Sequence, residues 1–104
     1  MVKVKWTPLA RSDVENLFHY YEDISIRFAE TIIDEIFKAT GYLEMMPELG
    51  PKEQVFSHLK RNYRYLVVLR RYKLIYLYEN STCYILMVWD CRNSPEVLRN
   101  SIKE

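Results

Sequence analysis

The stretch from Tyr63 to Arg92 constrains the fold more than any other part of the chain. It holds three apolar runs, Tyr63–Leu69, Tyr72–Tyr78 and Cys83–Asp90, separated by Arg70-Arg71 and by Glu79-Asn80-Ser81-Thr82. Aromatic and β-branched residues fill the runs and short polar breaks divide them, which is the pattern of an antiparallel meander. If Arg70-Arg71 and Asn80-Ser81 serve as two-residue turns, Lys73 lies across from both Val68 and Val88. One face then carries Arg64, Leu66, Val68, Lys73, Ile75, Leu77, Tyr84, Leu86 and Val88, with Arg92 just past the strand end. The other face carries Tyr63, Tyr65, Val67, Leu69, Tyr72, Leu74, Tyr76, Tyr78, Ile85, Met87 and Trp89. Neither turn contains Asn-Gly or Asp-Gly, so the register is weakly pinned. Both faces are mostly apolar, and a small sheet wetted on one side should alternate apolar with polar. Either helices cover both faces, or one face awaits a partner.

At 104 residues the chain is expected to be one domain, spanning 1–104, with a modest core. No apolar run is long enough to span a bilayer. The opening Met1-Val2-Lys3-Val4-Lys5-Trp6 lacks the apolar centre of a signal peptide, so a cytoplasmic protein is expected. Cys83 and Cys91 sit at opposite ends of one expected strand, too far apart for a disulfide, and should be free thiols. No cysteine or histidine stands at metal-ligand spacing, and neither a metal nor another cofactor is expected. The net charge of +1 hides an asymmetry. Residues 1–58 hold six Lys/Arg against ten Asp/Glu, whereas residues 59–104 hold nine against four. The basic half suits nucleic acid or an acidic peptide, or simply solubilises an apolar sheet.

In chain order, Val2–Trp6 alternates apolar and charged residues and reads as an edge strand. Thr7-Pro8 caps and opens a helix from about Pro8 to Glu22. Ser25 caps a second, with Ala29, Ile32, Ile33, Ile36, Phe37, Thr40 and Leu43 at helical spacing, ended by Pro47-Glu48-Leu49-Gly50-Pro51. Val55, Phe56 and Leu59 suggest a segment tucked against the core. After the meander, Ser94-Pro95 opens a short helix through about Ile102. The fold class is α+β: a strand, an α-helical hairpin, a three-stranded antiparallel meander and a short C-terminal helix.

The motifs Val4-Lys5-Trp6-Thr7-Pro8-Leu9-Ala10, Pro47-Glu48-Leu49-Gly50, Tyr63-Arg64-Tyr65-Leu66, Tyr72-Lys73-Leu74-Ile75-Tyr76 and Asp90-Cys91-Arg92-Asn93-Ser94-Pro95 occur in that order. In this arrangement the chain resembles the RelE/ParE-type toxins of bacterial type II toxin–antitoxin systems. The resemblance implies a small toxin neutralised by a cognate antitoxin. RelE-like members cut mRNA on the ribosome without metal, and ParE-like members share the fold and poison DNA gyrase.

RNA cleavage by a ribose 2′-hydroxyl needs a proton acceptor, a proton donor and cations around the phosphate. The resemblance places the cationic positions on Arg64, Lys73 and Arg92. It places the two remaining positions on Leu66, which carries no charge, and on Leu98, which cannot transfer a proton. A different base could substitute, His58, Tyr84, Glu79 or Asp90, and of these a histidine is best suited to neutral pH. The resemblance also gives the tyrosine-rich face to the helices, leaving Leu66, Val68, Ile75 and Leu77 as the apolar surface an antitoxin would cover. Three readings follow: a toxin inhibiting gyrase, a ribosome-dependent mRNA endonuclease with an atypical base, or a non-toxic α+β binding module. The loss of two proton-handling positions favours the first, and the basic sheet half favours the second.

Overall fold

A computed structural model describes all 104 residues. The elements are β1 (Lys3–Trp6), α1 (Pro8–Glu22), α2 (Ile26–Tyr42), a one-turn 3₁₀ helix (Gln54–Phe56), β2 (Tyr63–Val68), β3 (Tyr72–Glu79), β4 (Thr82–Asp90) and α3 (Pro95–Arg99). The sheet order is β1-β4-β3-β2, with β1 parallel to β4 and the rest antiparallel. This is the expected α+β architecture, with β1 at an edge. No helix is long and apolar enough to cross a membrane.

Local chemistry sets the helix boundaries. Thr7 accepts a hydrogen bond from the Ala10 amide, and Pro8 occupies the first turn. Ser25 accepts from the Phe28 amide and starts α2, whose residues Ala29, Ile32, Ile36 and Thr40 are buried. The last helix ends at Arg99, short of the expected Ile102, with Leu98 as its buried anchor. The 3₁₀ turn is the tucked segment, and it buries Phe56.

The register differs from the expected one. Val68 pairs with Tyr72, and Lys73 lies across from Val67 and Trp89. The physical reason lies in the turns. The first turn pivots on Leu69-Arg70, both at positive φ, rather than on Arg70-Arg71. The second does use Asn80-Ser81, again at positive φ, but a bulge follows. Ile75 pairs with Met87 and Tyr76 with Ile85, so Leu86 is the extra residue. Thr7 anchors the start of α1 in that bulge, its hydroxyl donating to the Ile85 and Leu86 carbonyls at 2.9 and 3.1 Å. Asp13 of α1 accepts from the Val88 amide at 2.9 Å.

A slip of one residue turns a strand over. The helix-facing layer therefore contains Leu66, Val68, Tyr72, Leu74, Tyr76, Ile85 and Val88, packed on α1 and α2. The opposite layer contains Tyr63, Tyr65, Ile75, Leu77, Met87 and Trp89, packed on the 3₁₀ turn and α3. The single exposed face expected for Leu66, Val68, Ile75 and Leu77 does not form. Leu66 and Val68 lie on one side and Ile75 and Leu77 on the other, and all but Leu66 are buried.

Candidate functional site

The cations expected to share a site are each placed by a different local need. Arg64 sits on β2, the edge strand, with its side chain only 12 % exposed. It donates to the carbonyls of Glu48 and Gly50 at 3.2 and 2.7 Å and to the Glu48 carboxylate at 3.3 Å. It thus ties down the turn that ends α2. Tyr76 holds the same turn, donating to the Pro47 carbonyl at 2.8 Å and accepting from the Gly50 amide at 3.0 Å. Lys73 points to the opposite face. Its ammonium lies 2.7 Å from the Glu53 carboxylate and 4.3 Å from the Tyr65 ring centroid. Glu53 is 4 % exposed, so this is a largely buried ion pair.

Arg92 occupies the exposed loop after β4 and forks onto Asp90, with its Nη2 2.7 Å from Oδ2. That pairing holds the Asp90 carboxyl below its usual range and pushes the Arg92 guanidinium up. His58 is exposed in the loop after the 3₁₀ turn. The four residues do not converge. Arg64 and Lys73 face opposite sides of the sheet. Arg64 lies beside Tyr76 and Asp90 beside Tyr72, which separates Arg64 from the Arg92 loop by roughly 13 Å of strand. Leu98 is 2 % exposed and belongs to the core. Three cations around one phosphate, with a proton donor at hand, is not a geometry these residues make.

Two other features emerge that the sequence did not signal. At the Arg92 end, the Cys91 amide donates to the Arg71 carbonyl and joins the two loops. There Arg71 donates to the Tyr21 hydroxyl at 3.1 Å, and the Tyr21 and Tyr72 hydroxyls are 2.7 Å apart. Burial raises Tyr72 to about 12, with the bond to Tyr21 adding to it. Burial also works to raise Tyr21, but hydrogen bonds from Tyr72 and Arg71 and the charges of Arg71 and Arg92 outweigh it and pull that hydroxyl down. The second feature is an apolar groove of 280 Å³ between α2 and β2, lined by Tyr42, Leu49, Leu66, Val67, Val68 and Leu69 among others. Val67 is 56 % exposed. Tyr63 and Tyr65 bond outward to Glu53 and Pro51, so the strand's period of two aims the Val67 N–H and C=O outward as well, beyond the end of that pairing. An extended segment laid there would gain both backbone bonds and apolar contact.

The family model described as the ParE toxin of the type II toxin–antitoxin system, parDE, matches residues 4–95. The chain belongs to the ParE toxin family. Among solved structures, the ParE fold recurs in a chain titled "Chromosomal ParDE TA system from P. aeruginosa". That chain aligns at a TM-score of 0.70 and 21 % identity, over 86 % of this chain and 96 % of its own length. At that identity the likeness speaks for the fold. No curated protein matches the chain.

Proposed function

We propose that this ParE-family toxin is held inactive in the cytoplasm by a cognate antitoxin and, once released, arrests growth by inhibiting DNA gyrase. The observation that carries the reading is the fate of the cations. Lys73 pairs with Glu53 on one face while Arg64 ties down the α2–β2 turn on the other, and the positions that would move protons are Leu66 and Leu98. A protein so built has little with which to cleave a phosphodiester and must act by binding. Arg92 is the cation left in an exposed loop, in a corner shared with Arg71, and is the residue we assign to target contact.

The antitoxin is assigned to the groove between α2 and the open edge of β2. Leu66 and Val68 line it, whereas Ile75 and Leu77, expected on the same surface, are roofed by the 3₁₀ turn and α3. An amphipathic segment that turns extended at Val67 fits both the apolar lining and the free backbone groups.

The test is induction of the chain in a bacterial host lacking the antitoxin, with transcript ends mapped by primer extension and a DNA-damage reporter read in parallel. Growth arrest with intact transcripts and an active reporter is the expected result. New transcript ends at ribosomes, lost in Arg64→Ala, would overturn it in favour of the endonuclease.

A further inference from the structure

The segment between α2 and β2 encloses a cavity that neither the fold nor the gyrase reading uses. The chain passes from Glu48 through Gly50, pairs briefly with β2 (the Glu53 amide donating to the Tyr63 carbonyl at 2.9 Å, the Tyr65 amide to the Pro51 carbonyl at 3.1 Å) and returns through the 3₁₀ turn. The space it frames has a volume of 490 Å³ and is lined mainly by polar residues. That is the size of a small-molecule site, on the order of 300–1,000 Å³.

Two of its lining residues carry buried polar atoms with no hydrogen-bond partner, Arg64 Nε and Asn62 Oδ1. Such orphans are rare in folded proteins, and each asks for an explanation. Arg64 Nη1 is committed to two carbonyls, but Nη2 meets only the Glu48 carboxylate, at 3.3 Å, and Glu48 is largely exposed. Nε and Nη2 form one edge of the guanidinium, the fork that takes two oxygens of an anion side by side. That edge is therefore half unused and half loosely held. Around the same cavity stand Lys52, Lys60 and Arg61. Arg61 is spent on Glu79, whereas the ammonium groups of Lys52 and Lys60 pair with no carboxylate. Of the two acids in the lining, Glu53 is neutralised by Lys73, and Glu48 is the one the fork could release.

We propose that this cavity is a binding site for a phosphoryl group, held by the Nε–Nη2 edge of Arg64 once it releases Glu48 and by Lys52 and Lys60, on a ligand whose hydroxyl or amine donates to Asn62 Oδ1. The choice of phosphoryl over carboxylate follows from shape and charge. A planar carboxylate fills the fork and leaves both lysines unanswered. A tetrahedral dianion offers two oxygens to the fork and the others to the lysines. The donor for Asn62 makes the ligand a phosphoryl compound that also carries a hydroxyl or amine, and a nucleotide is the class we assign. The phosphate is the terminal group of a free nucleotide, because a backbone phosphodiester is a monoanion with two unesterified oxygens, which the fork alone would take up.

The experiment is a titration of the isotope-labelled chain, followed by backbone amide shifts, with inorganic pyrophosphate, adenosine diphosphate, citrate and a short single-stranded DNA. Saturable shifts confined to residues 48–64 with pyrophosphate and adenosine diphosphate are expected, with citrate weaker. Tighter binding by adenosine diphosphate than by the DNA is expected, and tighter binding by the DNA on the same amides would overturn the terminal-phosphate assignment. Lys52→Ala/Lys60→Ala should weaken pyrophosphate by about tenfold, since two phosphate contacts are lost while two exposed side chains leave the fold intact. Asn62→Ala should weaken adenosine diphosphate and leave pyrophosphate unchanged. Absence of saturable shifts, citrate binding as tightly as pyrophosphate, or an unaltered response in the double-lysine variant would overturn the assignment. The readout involves neither gyrase nor growth arrest, so this site and the gyrase reading stand or fall separately.

Discussion

Glu53 is buried, and the Lys73 ammonium 2.7 Å away is its counter-charge there. Removing one partner of such a pair leaves an uncompensated charge. Lys73→Met is therefore expected to destabilise the fold by about 3 kcal/mol in urea denaturation. The double variant Glu53→Gln/Lys73→Met should recover most of that loss, because no bare charge remains. Loss of toxicity in Lys73→Met at unchanged stability would return Lys73 to a functional role. Arg92 is the contrasting case, exposed and bonded only to Asp90 at the end of β4. Arg92→Ala should leave the fold intact, abolish toxicity, and let the Asp90 carboxyl rise toward the ordinary aspartate value. A carboxyl-carbon NMR titration reads that rise directly. Because the folded value is depressed, the pairing adds stability above the unfolded aspartate value, about pH 4, and that contribution is lost as pH falls through the folded value.

At the scale of elements, the two hairpin turns determine which side chains share a face. Leu69, Arg70, Asn80 and Ser81 all sit at φ between 54° and 57°, a region costly for residues with a Cβ. Ser81→Gly creates the favoured Asn-Gly pair and should stabilise the protein by about 1 kcal/mol, read as a raised thermal midpoint with β3–β4 pairing unchanged. Unchanged or lowered stability would mean that Ser81 is not strained. These turns also explain what could be read in advance. The helices were legible because Ala29, Ile32 and Ile36 repeat at the helical period and Thr7, Ser25 and Pro8 mark their starts. The strands were legible as apolar runs. The β2–β3 register was not, because a turn through Leu69-Arg70 has no compositional signature and competes with Arg70-Arg71. The Leu86 bulge was equally silent. The expected antitoxin face failed for that reason, with Leu66 and Val68 turned away from Ile75 and Leu77. The candidate site was legible residue by residue but not as a constellation. Nothing local to Lys73 announces that Glu53, twenty positions away, will claim it.

At the scale of the whole molecule, a small α+β domain covers both faces of its sheet and leaves the β2 edge open at Val67 beside an apolar groove. The antitoxin site proposed there lies two strands across the sheet from the Arg92 loop. Val67→Glu sets a charge in the groove without touching the core and is expected to weaken antitoxin binding by at least tenfold in calorimetry while leaving toxicity intact. Unchanged affinity would move the antitoxin elsewhere. The central claim is that this toxin acts by binding gyrase and not by cutting RNA. The most direct measurement is supercoiling of relaxed plasmid by purified gyrase in the presence of the purified chain. The structure-based account predicts that supercoiling is blocked, that Arg92→Ala fails to block it, and that added antitoxin restores it. Undisturbed supercoiling at concentrations where the same preparation cleaves ribosome-bound mRNA would contradict it.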